Sequence, residues 1–175
     1  MLVRVVLIVA CLIAAVLLFA ASKPKTFQLQ RSITIKAPPE KIFPFINDLH
    51  QWSAWAPQDK EDPNIQRTFS GAAAGEGAAS NWQGSGSSGQ GRMLITESVP
   101  DRKVSVAVDF AKPFVAHNVN VFTLEPTGDS TTVSWNFTGE NVYMLKLMSI
   151  FVPMERVMGK HFDDGLANLK AAAEK

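Results

Sequence analysis

Cysteine is nearly missing from this sequence. Cys11 is the only one among 175 residues, and it lies inside an apolar run near the N-terminus. A disulfide framework, a thiolate zinc site and a cysteine nucleophile are thereby excluded from the remainder. Histidine is almost as scarce. His50, His117 and His161 stand far apart, no pair has His-x-x-x-His spacing, and no metal centre is expected. An excess of charge is lacking as well: Lys and Arg number 17 against 16 Asp and Glu, and the signs balance once Arg4, which precedes every acid, is set aside. A neutral domain has no electrostatic footprint for a phosphate backbone, so no nucleic-acid partner is expected. Apolar content is what the chain does have, 46% against 19% charged. That suffices for the core of one ordinary domain without disulfides or a structural metal.

The longest apolar stretch comes first. Val5 to Ala21 reads VVLIVACLIAAVLLFAA without a break. At about 1.5 Å per residue it reaches roughly 26 Å, close to the ~30 Å hydrocarbon thickness of a bilayer. Retained, the run is a signal anchor and a single membrane helix; removed after Ala20-Ala21-Ser22, it is a secretory signal. It is long for a signal and its cleavage site is weak, which favours the anchor. Ile8-Val9-Ala10-Cys11 loosely matches a lipoprotein box, but a further apolar run follows it, and lipidation is rejected. Arg4 favours a cytoplasmic N-terminus and an extracytoplasmic domain, with Lys23 and Lys25 weighing against. The expected organisation is a membrane or signal segment at 1–22, a linker at 23–26 and one domain at 27–175.

Past Lys23-Pro24-Lys25, the residues Phe27, Leu29, Ile33 and Ile35 alternate with polar ones, with Arg31 standing in the apolar phase; this is a strand pattern. Ala37-Pro38-Pro39-Glu40 reads as a helix start, since proline fits the first turn and an early acid suits the helix dipole. Pro44 limits that helix, and a second short one is expected over Asp48 to Ser53. Six strand-like runs follow, near 64–70, 79–85, 90–99, 103–111, 115–125 and 131–138. Their connections carry Gly, Pro and Asp, which indicates an antiparallel meander. Val142 to Val152 is uniformly apolar and ends at Pro153. Met154, Val157, Met158, Phe162, Leu166 and Leu169 then recur every three or four residues, the mark of a long amphipathic helix reaching about Ala173. That helix is the only element long enough to cover the sheet's apolar face.

Several segments carry a resemblance to a known superfamily. They are Ile33-Thr34-Ile35-Lys36-Ala37-Pro38-Pro39-Glu40-Lys41-Ile42-Phe43, then Ile46-Asn47-Asp48 with Trp52-Ser53-Ala54-Trp55-Ala56-Pro57, and Arg92 through Pro100 (RMLITESVP). Phe122-Thr123-Leu124-Glu125-Pro126, Thr132-Val133-Ser134-Trp135 and Phe162 through Lys170 (FDDGLANLK) complete the set. Over residues 27 to 173 the chain resembles the START-related helix-grip (SRPBCC) superfamily, in particular bacterial polyketide cyclase/dehydrase and lipid-transport-like proteins. The resemblance implies an α+β helix-grip fold. In it a curved antiparallel seven-stranded sheet wraps around a long C-terminal helix, and two short helices follow the first strand. The apolar N-terminal segment is an addition to that minimal pattern; retained, it is expected to place the chain in a bacterial inner membrane, and cleaved, in the periplasm or outside the cell. The superfamily includes lipid carriers, hormone binders, chaperone cofactors, aromatases and cyclases, so it brings no universal catalytic set and no cofactor.

Candidate site residues follow from the face each would take. Trp135 shares a strand face with Val133 and Phe137, while Trp52 and Trp55 stand at helical spacing before Pro57; with Trp82 they are either core or the walls of a pocket, indole offering a broad apolar face and one donor. Glu97 falls in phase with Met93 and Ile95. An inward carboxylate among them would anchor a ligand or serve as a general acid or base; the structural alternative is a partly solvated face on which Glu97 pairs with a neighbouring Arg or Lys. His117, in phase with Val115, Val119 and Val121, is a core histidine or a pocket donor, whereas Asp109 opposes the Val104-Val106-Val108-Phe110 face and points outward. Phe110, Met154, Met158 and Phe162 complete the expected pocket wall, methionine being able to fill irregular space. Gly84-Ser85-Gly86-Ser87-Ser88-Gly89 spells GxGxxG, but a strand and not a helix follows it, so it is read as a hairpin loop.

These residues lead to an expected function: non-catalytic binding or transport of a hydrophobic small molecule or lipid, in a cavity between the sheet and the final helix. Burying about 300 Å² of apolar ligand at roughly 25 cal/mol per Å² is worth on the order of 7 kcal/mol before association costs, and needs no special polar groups. The alternatives are a polyketide aromatase or cyclase moving protons with Glu97 and His117, and a module that recognises a protein partner.

Overall fold

The structure is a computed structural model that describes residues 2–85, 88–151 and 154–175. The unbroken apolar run forms helix α1 (Leu2–Ser22). Strand β1 (Thr26–Ile35) is followed by helix α2 (Pro39–Asn47), a 3-10 turn at Leu49–Ala54 and helix α3 (Pro57–Glu61). Then come β2 (Gln66–Gly71), β3 (Ala78–Gln83), β4 (Gln90–Val99), β5 (Lys103–Lys112), β6 (Ala116–Thr127) and β7 (Ser130–Glu140). Helices α4 (Tyr143–Phe151) and α5 (Met154–Ala173) close the chain. The seven strands form one antiparallel sheet in the order β1-β7-β6-β5-β4-β3-β2. This is the expected α+β helix-grip fold, with α3 an additional short helix. Pro153, expected to separate the final helix from the apolar stretch before it, lies outside the described residues, as do Gly86 and Ser87 of the glycine-rich hairpin.

Local chemistry explains why the short helices stop where they do. Pro39 enters α2 at its first turn, Ile42, Phe43 and Ile46 bury its apolar face, and the helix ends at Asn47. The last carbonyls of a helix have no partner within it. Here two indoles supply partners: Trp55 Nε1 donates to Phe45 O at 2.8 Å, and Trp52 Nε1 donates to Ile46 O at 3.0 Å. Asp48 then caps the 3-10 turn by accepting the backbone N–H of His50.

Helix α5 lies on the inner face of the sheet. Phe162, Leu166, Leu169 and Ala173, at intervals of four, three and four, are all buried. Its C-terminal end is fastened to β1, where Lys170 Nζ donates to Thr34 O and Glu174 accepts the N–H of Lys36. Toward its N-terminal end, Arg31 reaches across from β1 to the carboxylates of Glu155 and Asp163, each at 3.4 Å. Arg31 therefore stands in the apolar phase of β1 because it holds the helix there.

The segment expected as a linker between α1 and β1 is tied down by hydrogen bonds. Lys146 Nζ donates to Lys23 O, Asn141 Nδ2 to Pro24 O, and the Asn141 N–H to Lys25 O. Otherwise α1 is exposed along nearly its whole length, with Ala20 buried.

Candidate functional site

The centre of the grip is filled by the protein's own rings. Trp52 and Trp55 lie 5.0 Å apart between centroids, Trp55 meets Phe122 and Trp135, and Trp135 stacks on Phe162 at 4.1 Å. Each such pair adds about 0.5–1.5 kcal/mol to the burial of its area. The polar atoms are matched as well, since Trp135 Nε1 donates to Asn120 Oδ1 at 2.6 Å. Gly165 lets α5 come close: a Cβ there would stand 3.0 Å from the Trp135 ring and 3.2 Å from Pro57. The middle and C-terminal parts of α5 therefore seat flush, and Trp52, Trp55 and Trp135, read from sequence as core or pocket wall, are core, packed together with Phe162, which was expected in the pocket wall. Met93, Ile95 and Trp82 are buried in the same core, with Trp82 edge-on to Phe110 at 5.2 Å.

Open space remains at one end. An apolar cavity of about 190 Å³ lies where β1 begins, β7 ends and the β5–β6 hairpin turns. Phe27 and Phe137 form one wall, Phe110 and Ala116 another, Pro113 and Phe114 come from the hairpin, and Leu145 of α4 and Met158 of α5 cover it. Asn118 is the one polar side chain of this lining. Of the residues expected to line a pocket, Phe110 and Met158 are brought together here; the Met154 side chain lies outside the described residues.

Glu97 and His117 are not among them, and both correct the expected orientation. A register shift between Ile95 and Glu97 in the β4–β5 pairing reverses the alternation of β4, so Glu97 stands opposite Ser105 on the outer face. It accepts from Lys103 at 2.7 Å and from Ser105 Oγ at 2.9 Å. The Lys103 hydrogen bond first, then that of Ser105, lowers its pKa below the ordinary carboxylate value, so it stays ionised. His117 is likewise outside, with 63% of its side chain exposed and Nδ1 2.7 Å from Asp109. Hydrogen bonding to Asp109 raises its pKa above the usual histidine value. The inner face of β6 is Ala116, Asn118, Asn120, Phe122 and Leu124, opposite in phase to the valines that suggested otherwise.

A larger groove, about 460 Å³, runs over the outer face between β2 and β5. Gln66, Thr68, Asn81, Gln83, Arg92 and Asp109 put polar groups along its open floor, beside Trp82 and Phe110. Water competes at every polar group of such a groove, whereas the smaller space is lined almost wholly by apolar side chains. Apart from Phe110 and Met158, sequence reasoning missed the residues that line this cavity, Asn118 among them. A readable signal existed in Pro113-Phe114-Val115, three apolar residues where a hairpin turn is ordinarily polar. Among the described residues no cluster of His, Cys, Asp and Glu suited to a metal ion occurs.

Residues 26–174 match the family model described as "Polyketide cyclase / dehydrase and lipid transport". No curated protein matches the chain. Solved structures do. A protein of Chromobacterium violaceum is 18% identical with a TM-score of 0.60, covering 87% of this chain and 99% of that one. A hypothetical protein of Helicobacter pylori is 9% identical with a TM-score of 0.65, covering 84% and 88%. The Aha1 dimer of Colwellia psychrerythraea is 20% identical with a TM-score of 0.57, covering 85% and 96%. At these identities the likeness is one of fold.

Proposed function

Because this chain belongs to the polyketide cyclase/dehydrase and lipid transport family, we propose that it is a membrane-anchored binding protein. It holds an apolar small molecule, or the tail of a lipid, in the cavity beside α4 without altering it chemically. The observation that carries this reading is the lining of that cavity: aromatic and aliphatic groups around a single amide, Asn118. Its size sets the ligand class. About 190 Å³ is below the roughly 300 Å³ at which drug-sized molecules are enclosed. At about 30 Å³ per water-sized group it takes roughly six such groups. Six methylenes at about 0.8 kcal/mol each give on the order of 5 kcal/mol, and Asn118 is placed to bond one polar atom of the guest.

The anchor in this reading is α1. Its stretch Val3–Ser22 is 20 residues long and apolar enough to cross a membrane, which at 1.5 Å per residue is about 30 Å. Arg4 on its N-terminal side supports a cytoplasmic N-terminus and an extracytoplasmic domain. Acid–base catalysis by Glu97 and His117 has no geometric support, since both lie on the outer face, away from the cavity.

The test fills the cavity. In Ala116→Phe a ring replaces the methyl group of a lining residue. Native mass spectrometry after incubation with a lipid extract is expected to show an apolar adduct on the parent protein and at least a tenfold weaker one on the variant, with the melting temperature retained. An adduct of equal strength on both, or none on the parent, overturns the reading.

A further inference from the structure

The end of the domain that holds the cavity is also where α1 leaves it, and that end is apolar on the outside. Phe114 and Val115 of the β5–β6 hairpin are 43% and 67% exposed, and on α4 Tyr143, Met144 and Met148 are about half exposed. The two groups are neighbours across the cavity, which Phe114 and Leu145 both line. Helix α4 is also bonded to α1, where Tyr143 Oη donates to Leu17 O at 3.1 Å, and to the residue that follows α1, where Lys23 Nζ donates to Ser149 Oγ at 2.8 Å.

We propose that this end sits in the lipid interface, with the β5–β6 hairpin and the exposed side of α4 in the headgroup–acyl boundary, so that the cavity opens onto lipid and draws its guest from the bilayer. The inference rests on the reading of α1 as a membrane helix, and the depth follows from it. Val3–Ser22 equals the hydrocarbon thickness, so Ser22 marks the boundary and Leu17, five residues before it, lies about 7.5 Å inside. Tyr143 is bonded at that level. An interfacial amphipathic helix buries its apolar face about 5–10 Å deep, and tyrosine is a residue of that zone. The hydrogen bonds from Lys146 and Asn141 to the α1–β1 segment keep α4 from swinging out of this position. Lys23, Lys25 and Lys112, just after α1, just before β1 and at the end of β5, stand at headgroup level, where a long basic side chain lays its stem on apolar surface and keeps its charge in water. The β3–β4 hairpin at the same end of the sheet is glycine and serine, so the apolar surface is one-sided, on the flank of α1.

Site-directed fluorescence on the full chain in phosphatidylcholine–phosphatidylglycerol vesicles tests this. A polarity-sensitive label is placed on native Cys11, in the middle of α1, and, in a Cys11→Ser background, on Val115→Cys, Met148→Cys and, at the far end of the sheet, Asp129→Cys. Nitroxide-bearing lipid is expected to quench the labels at 11, 115 and 148, while aqueous iodide quenches only the one at 129. Cys11 shielded from iodide with 115 and 148 quenched by it leaves the anchor standing and overturns the docking. Labels at 115 and 148 that neither agent quenches mean that protein covers this surface, which also overturns it. Cys11 quenched by iodide removes the anchor and the docking together.

Discussion

His117 and Asp109 show what a single outward-facing pair does and does not contribute. Their contact at 2.7 Å is exposed on both sides, so its net worth is small, but its direction is fixed. A histidine whose pKa is raised on folding stabilises the native state fully below about 6.5, its unfolded value, and loses that contribution as pH climbs through the folded midpoint. The His117 ring, followed by NMR, is expected to titrate above its unfolded value, and Asp109→Asn is expected to remove most of the elevation, Glu140 supplying the smaller remainder. The parent should be more stable than that variant in mild acid and equal to it in alkali; an unchanged midpoint counts against the pairing. The same residue shows why side-chain direction was hard to read from sequence. Val115-x-His117-x-Val119-x-Val121 has the better apolar alternation, yet the inward residues of β6 include Asn118 and Asn120. What makes a buried asparagine tolerable is a partner elsewhere, here the Trp135 indole on Asn120, and local pattern does not contain it. In β4 a register shift after Ile95 does the same to Glu97.

At the scale of the element, periodicity was informative. The strands of the meander and α5 stand close to where alternation and three-to-four spacing put them, because an apolar stripe on one side is itself the cause of the element. Spacing does not say how closely an element seats. Helix α5 could have stood away from the sheet along its length; Gly165 and the Phe162–Trp135 contact bring it down instead, with room left near Met158. Truncating that contact should therefore be expensive. Phe162→Ala is expected to lower unfolding free energy by about 3–5 kcal/mol in chemical denaturation, the range for removing a buried ring. A loss under about 1 kcal/mol would mean that the helix is held by its ionic fastenings to β1 and not by the rings.

For the molecule as a whole, the division between a filled centre and an open end determines how a ligand affects stability. A guest that binds only the folded state at a hundredfold excess over its Kd adds about 2.7 kcal/mol. For a chain of this size each kcal/mol moves the Tm by roughly 2–4 °C, so differential scanning fluorimetry in lipid nanodiscs should show a rise of about 5–10 °C. Ala116→Phe should show none, and a rise in both would place the guest outside the cavity. The filled centre has an optical consequence too. Three of the four tryptophans, Trp52, Trp55 and Trp135, have centroids within 6 Å of a neighbouring indole and are shut off from water. Their excited states are coupled and their emission is set by a dry surrounding, so the protein carries a built-in chromophore whose colour reports whether the grip has loosened.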